Sequence, residues 1–461
     1  MKSPLFSRSI ARPKHRGVSQ LDRERGFTMA LVAIGMISIL AVAALSIDAV
    51  TLYLAREEAQ RAADAAALAG VRILSLSGMT GDTSNTTNSW TPACDAATAV
   101  ATEVAQQNKI AGLSLPATQI TITFPNNANC GSAAIFAVNP EMTVKVTRQN
   151  LPTFFARIWG VKSSTVVASA TAEAYNPSSS GNFSSGGGYI PVQPRCVKPW
   201  IVPNLDPVAG GTFVTPATGS ISNPGVLQLG GGVIGEQFSL TSPCASPATD
   251  CDATDGNLKR DPTTSGGNVD YVPALVAGAA TAVDSSCTTT DTYQQAIVGC
   301  DQQTQYNCGT NNGAQIDLDI APTTPTILTG ETSSAVQCVI HSGTGGQDTL
   351  PLVGGKNPVY PFQIWAGLDN PLVKNGIVND NNPITSSVSI MSLPIYDNTA
   401  GKLTGNKQAV TIVGFLQVFM NGLDASGNPN VTVLNVSGCG TASAAAVTGT
   451  SPVPIRLITA P

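Results

Sequence analysis

Residues Phe27 to Ile47 read FTMALVAIGMISILAVAALSI, 21 residues without a charged side chain. As a helix rising about 1.5 Å per residue, such a run is about 30 Å long, which is the thickness of a bilayer's hydrocarbon core. Before it, Lys2, Arg8, Arg12, Lys14, Arg16, Arg23 and Arg25 stand against Asp22 and Glu24, a net +5 over residues 1–26. Just after it, Asp48, Glu57, Glu58 and Asp64 outnumber Arg56 and Arg61. The whole chain carries −5, so everything beyond the tail sums to −10. Three readings compete. A buried core helix needs no basic tail before it. A cleaved secretory signal would use the small residues Ala41-Val42-Ala43, but the tail is long and the apolar run exceeds the usual span of about 7–15 residues. An uncleaved single anchor accommodates both features, and the positive-inside rule then places the N-terminus in the cytoplasm and everything after Asp48 outside.

Beyond Ile47 the chain reads DAVTLYLAREEAQRAADAAALAGVRIL, with no Pro and one Gly, Gly70. Ala, Leu, Arg, Glu and Gln are all strong helix formers, so the membrane helix is expected to continue to about Leu74, a rod of roughly 70 Å. Leu52, Ala55, Ala59, Ala62, Ala66 and Ala69 recur at three- and four-residue intervals and share one face. Methyl-sized side chains let another surface approach closely. That surface is either the chain's own domain or another helix, in which case Ala59, Ala62, Ala66 and Ala69 form an assembly face. Glu58 and Arg61 fall on the expected solvated side.

These residues carry a resemblance. Arg25-Gly26 before the span, Asp48 closing it, Tyr53 soon after, and Gln60-x-x-Ala63-Asp64-Ala65-Ala66-Ala67-Leu68-Ala69-Gly70 resemble the N-terminal segment of TadE/TadG-like Flp pilus-assembly proteins. Gly26, Asp48, Asp64, Ala65 and Leu68 are the motif positions carried over. The resemblance implies a long pilin-like N-terminal helix and a role in building or anchoring tight-adherence pili at the bacterial inner membrane. Its implied partners are the membrane and other pilus-assembly or pilin-like subunits. Arg25-Gly26-Phe27-Thr28 also resembles a prepilin peptidase site, with Leu31 at the fifth mature position where such sites carry glutamate.

Further along, residues 94–107 read as a short helix with Ala97, Val100 and Val104 on one face. Gln119–Phe124 and Met142–Thr147 alternate as strands. A turn, Phe154-Phe-Ala-Arg-Ile-Trp159-Gly160, leads into a strand at Ser164–Glu173, an order that also resembles TadG-like proteins. The linker NPSSSGNFSSGGGYIP at 176–191 is flexible by composition and separates a helix-plus-sheet module over 48–175 from a domain over 192–461. The latter alternates apolar and polar residues at 236–240, 363–365, 387–391, 409–419 and 430–436, between turns rich in Gly, Pro, Asn and Asp. Cys196-Val-Lys-Pro-Trp200, Ile297-Val-Gly-Cys300 and Gly414-Phe-Leu-Gln-Val-Phe419 resemble stretches of longer TadG-like proteins. The expected fold class is α+β: one transmembrane helix running into a long Ala-rich helix, a small α+β module, and a mostly β C-terminal domain.

Little in the chain points to catalysis. It has two histidines, charged residues are 11%, and the net charge offers no general affinity for nucleic acid. His341 has Ser342 beside it and Asp348 further on, but no G-x-S-x-G elbow. Gly230-Gly-Gly-Val-Ile-Gly235 matches G-x-G-x-x-G, yet a strand rather than a helix is expected after it. Asp250–Gly256 resembles an EF-hand loop with its glycine one place late and Asp261 in place of the closing Glu. Asp82-Thr-Ser84-Asn-Thr86 lies in a polar loop, unlike the metal site of a von Willebrand A domain. No cofactor or metal site is assigned, and no small-molecule substrate is indicated. The expected role is structural. The rivals are an anchored or secreted enzyme using His341 or the acidic loop, and a surface-binding module.

All ten cysteines lie beyond the span. An even count outside a bacterial membrane favours disulfides. Cys94 and Cys130 are the only two before the linker and are expected to join, closing a loop worth roughly 3–4 kcal/mol. Cys244–Cys251 and Cys300–Cys308 are close enough for local bridges, though spacing leaves the connectivity open. A zinc site is the rival, but it finds no C-x-x-C and a single histidine, His341, beyond the span. Thiol blocking and mass spectrometry of denatured protein taken from the envelope should find few free thiols; eight or more alkylated cysteines would refute this.

Overall fold

One helix, α1 (Ser19–Leu76), runs for 58 residues, about 87 Å. In this computed structural model the described residues are 19–78, 90–125, 140–174, 190–194, 197–216, 220–241, 260–261, 267–276, 281–282, 287, 291–301, 304, 306–308, 315–320, 329–342, 345–354, 357–398, 406–438, 447–449, 453 and 455–458. From Phe27 to Ile47 every side chain of α1 is exposed or half-exposed. By length and composition this helix can cross a membrane. From Ala55 onward its character changes: Ala55, Ala59, Ala62, Ala63, Ala66, Ala67, Val71, Ile73 and Leu74 are buried. Gly78 ends the helix in the left-handed conformation at φ 72°, its N–H donating to Ser75 O, as a residue without a Cβ does most cheaply.

Two layers cover the alanine face. The first is α2 (Thr91–Gln107), started by Pro92 in its first turn. Its buried line is Ala93, Ala97, Ala101 and Ala105, so the face is rotated from the expected one, and Val100 and Val104 are half-buried at its margin. Methyl groups meeting methyl groups let the two helices approach closely. The second layer is a four-stranded antiparallel sheet in the order β1-β2-β3-β13, where β1 is Ile120–Thr123, β2 Glu141–Pro152, β3 Ser163–Ala174 and β13 Ile455–Ile458. Met142, Val144 and Val146 alternate inward on β2, and Ala168, Ala170 and Ala172 on β3, as a sheet with one covered face requires. Gly70 sits close against both layers: a Cβ there would overlap Met142 Sδ on β2 and fall 3.1 Å from Ala101 Cβ on α2.

The fourth strand comes from the far end of the chain. Ile455 pairs with Ala174 and Ile458 with Thr171, and Arg456 forms an ion pair with Glu173. The linker expected at 176–191 lies outside the described residues except for Ile190 and Pro191, which begin a short strand.

The rest is mostly β. A nine-stranded sheet has the order β9-β8-β4-β10-β11-β12-β5-β7-β6. Its strands are β4 (Trp200–Pro203), β5 (Gln237–Thr241), β6 (Arg260–Asp261), β7 (Asn268–Asp270), β8 (Val272–Val276), β9 (Gln315–Ile320), β10 (Ile390–Tyr396), β11 (Asn406–Leu423) and β12 (Pro429–Gly438). Strand β9 also pairs with the start of β11, Ile320 opposite Asn406, so part of the sheet folds back on itself. The expected strand at 387–391 begins at Ile390 and runs on to Tyr396. Phe415, Leu416, Val418 and Phe419 of β11 are buried, as in a strand covered on both faces. After Gly230–Gly235 the chain enters β5, a strand, so that glycine run is a turn. Helices α3 (Thr292–Val298) and α4 (Thr329–Val339) pack on each other, and a disulfide joins Cys287 to Cys338. The molecule is thus α+β.

Ala66 is fully buried and Arg61 exposed. Replacing Ala66 with Leu forces extra heavy atoms into a filled contact and should lower unfolding stability by about 1–3 kcal/mol. Arg61→Leu should stay within about 0.5 kcal/mol of wild type. Thermal melts in detergent would check both; equal melting of A66L and wild type would mean that this face is not packed.

Candidate functional site

A dense polar contact lies at the end of the bare stretch of α1. Asp48 is the first charged residue after the apolar run and is 3% exposed. Its carboxylate accepts three backbone hydrogen bonds, from Phe154 N to Oδ1 at 2.9 Å and from Phe155 N and Ala156 N to Oδ2 at 2.9 and 2.6 Å. An ionised carboxylate only accepts, and bonds to a charged acceptor are the stronger kind. These three amides open the single-turn 3-10 helix Ala156–Trp159, whose early N–H groups lack partners within the turn. Gly160 ends the turn at φ 90°, and Thr153 Oγ1 donates to Val161 O across its base. The hairpin tip between β2 and β3 is therefore a built loop, clamped to α1 by one side chain.

Further up α1, the other motif residues have visible tasks. Gln60 Nε2 donates to Asp64 Oδ1 at 2.8 Å and to Ser169 O on β3 at 3.1 Å, so Asp64 aims Gln60 at the sheet. Ala59, Ala62 and Ala66 are fully buried, while Ala65, Leu68 and Ala69 are half-buried. The alanine face packs on α2, β2 and β3 of the same chain, so in this arrangement it is occupied from within. Gly26 lies inside α1. Arg61 is exposed, 3.8 Å from Glu57, but Glu58 is not simply solvated: it is half-buried and its Oε2 accepts from Ala111 N at 2.7 Å. Ala111 has φ 51°, a backbone state that sequence periodicity does not reveal.

The upper end of α1 is tied to the β-rich region. Asn435 Nδ2 donates to Ser75 O at 2.9 Å and Ser75 Oγ to Val453 O at 3.4 Å. A Cβ on Gly78 would come within 2.5 Å of Ile234 Cγ2.

Two of the sequence stretches singled out in the β-rich region prove to be neighbours. Lys198 is 5% exposed; its Nζ donates to Ile297 O at 2.6 Å and Gly299 O at 2.7 Å, a cation on the C-terminal carbonyls of α3. Val197 and Asp301 exchange backbone hydrogen bonds, and Trp200 Nε1 donates to Tyr293 Oη at 2.9 Å. Elsewhere, burial first and the charge of Asp206 second push the Glu236 carboxyl up to about 9, so at neutral pH it is protonated and donates to Asp206.

Cys94 is disulfide-bonded; Cys130, Cys244 and Cys251 lie outside the described residues, as do the side chains of Cys300 and Cys308. The acidic loop at 250–261, apart from the backbone of Arg260 and Asp261, and the segment at Asp82–Thr86 also lie outside them. Asp348 is buried, and its carboxylate accepts from Gly367 N, Asn370 Nδ2 and Ser387 Oγ. It thus organises a loop, whereas His341 stands in the left-handed region at φ 58°. Among the described residues no group of three or more His, Cys, Asp or Glu side chains is arranged to hold a metal ion.

Removing the Asp48 acceptor should free the hairpin tip. In Asp48→Ala the amides of Phe154, Phe155 and Ala156 should exchange with solvent near the rate of an open loop, while those of β2 and β3 near Met142 and Ala172 stay protected. Hydrogen exchange read by mass spectrometry would check this; unchanged protection at the tip would show that Asp48 does not hold it.

Comparison with known proteins bears on this helix. The family model described as "Putative Flp pilus-assembly TadE/G-like" matches residues 26–72, from Gly26 through the bare half of α1 and most of its packed half. No curated protein and no solved structure matches the chain.

Proposed function

We propose that this chain is a membrane-anchored structural component of a Flp-type, tight-adherence pilus or a related envelope apparatus. The carrying observation is that the segment similar to the TadE/G-like family, residues 26–72, lies on one unbroken helix that is bare from Phe27 to Ile47 and packed on one face from Ala55 onward. In this reading residues 27–47 cross the inner membrane once. The basic tail over 1–26 stays in the cytoplasm, following the positive-inside rule. The module and the β-rich part stand outside, where the disulfides joining Cys287 to Cys338 and engaging Cys94 suit an oxidising compartment. The role is structural and not catalytic. Because the alanine face is covered from within, α1 acts as the spine of its own module, and contact with other subunits falls to surfaces other than Ala59, Ala62 and Ala66.

Topology and role can be tested separately. Alkaline phosphatase fused after Leu74 should be active and fused after Arg25 inactive; the reverse pattern would sink the proposed orientation. In-frame deletion of the gene in the native bacterium should abolish or sharply reduce surface pili, with restoration by a plasmid copy. Normal piliation without the protein would count against the assembly role.

A further inference from the structure

The hairpin tip clamped by Asp48 presents an apolar surface that none of the described residues covers. Phe154 is 62% exposed, Ile158 76%, Trp159 60% and Val161 49%. Four large apolar side chains within eight residues, on a turn fixed by three amide bonds and by Thr153, are costly to leave in water. Ordinary loop tips carry small or polar residues.

The position of this tip identifies what it meets. Gln60 of α1 is bonded to Ser169 of β3, and Asp48 to the tip. Going down α1 from Gln60 to Asp48 covers about 18 Å, and going down β3 from Ser169 to Ser163 covers about 20 Å. Hairpin and helix therefore descend side by side, and the tip arrives level with Asp48, one residue beyond the uncharged run. If residues 27–47 fill the hydrocarbon core, the tip lies in the headgroup layer, where Trp and other aromatic side chains concentrate. The helix at that level is apolar on its outer side too, with Ile47, Val50, Tyr53 and Leu54 all exposed. Arg157 and Lys162 flank the apolar residues, and residues 152–163 contain no acid, so the tip's charge suits anionic headgroups.

The geometry points to a second membrane contact: the Phe154–Val161 tip inserts into the interface of the leaflet from which α1 emerges, with Phe154, Ile158 and Trp159 among the headgroups and upper acyl chains. The partner is a lipid surface. This contact rests on the membrane-spanning reading of α1. It gives the module a fixed orientation on the bilayer, since one helix alone leaves rotation and tilt free, and a helix with a side-mounted wedge does not.

The full-length protein, reconstituted in vesicles of phosphatidylethanolamine and phosphatidylglycerol with or without brominated acyl chains, tests the inference. Trp90, Trp200 and the partly exposed Trp365 are common to wild type and Trp159→Phe, so the difference between the two isolates the Trp159 emission. That difference signal should be blue-shifted and should lose most of its intensity to shallow bromines, while aqueous iodide leaves it largely intact. A control chain, Trp159→Phe with Ile37→Trp, read as its difference from Trp159→Phe alone, reports on the span itself. Quenching of the Ile37→Trp probe by deep bromines together with a Trp159 signal open to iodide would overturn the inference while leaving the span in place. Absence of quenching at both positions would overturn both. A Trp159 signal shielded from iodide and bromines alike, in a manner depending on protein density, would assign the tip to a second protein copy and also overturn it.

Discussion

Three backbone amides converging on one carboxylate determine where this molecule stops being a bare helix and starts being a folded domain. Asp48 holds the tip of the β2–β3 hairpin to the helix. A position on the helix is thus matched to a position on the sheet, and the Gln60–Ser169 contact fixes a second point. Two fixed points suffice to align a straight helix with a straight hairpin. From Ala55 to Ala67 the alanine face is then buried, and Gly70 lies against Met142, because methyl groups and a glycine ask for little room. A larger side chain on that face would push helix and sheet apart and misalign both clamps.

Much of this helix could be read from the sequence, because its signals are local: an uncharged run of bilayer length, strong helix formers without Pro, and small residues at helical spacing. Strands β2, β3, β11 and β12 were also legible through alternation or continuous apolar runs. What escaped were pairings over long separations. Asp48 could be singled out as a motif residue, but its partners lie more than a hundred residues away, and a backbone amide has no residue identity to recognise. On α2, Ala97 is buried as expected, but Val100 and Val104 stand at the margin and Ala101 and Ala105 take their places. Packing against alanines instead favours the closest approach, which Ala97 and Ala101 allow and valines do not. Glu58 looked solvent-facing because the left-handed turn at Ala111 that it serves has no periodic signature.

In the β-rich half, the stretches around Lys198 and Ile297 gained meaning only when brought together. A buried ammonium is tolerable when its charge meets several oxygens, and the last carbonyls of a short helix provide them. Trp200 and Tyr293 add a buried hydrogen-bonded pair beside it. The disulfide between Cys287 and Cys338 joins the chain just before α3 to α4, stapling the two helices that cover this corner. Cysteine spacing could not select that pair, because both partners are far from each other in sequence and near other cysteines.

The strand that completes the first sheet carries a consequence for biogenesis. Ile455 meets Ala174 across about 280 residues of intervening chain. At synthesis rates of about 5–20 residues per second, the open edge of β3 waits roughly 15–60 s for its neighbour. During that interval the N-terminal module has an unpaired strand edge, the kind of surface that recruits other chains. The module cannot reach its final form as the nascent chain emerges, however early its helix forms. Its completion is tied to Ile455–Ile458, so a chain that stops before them leaves the module with an edge still open.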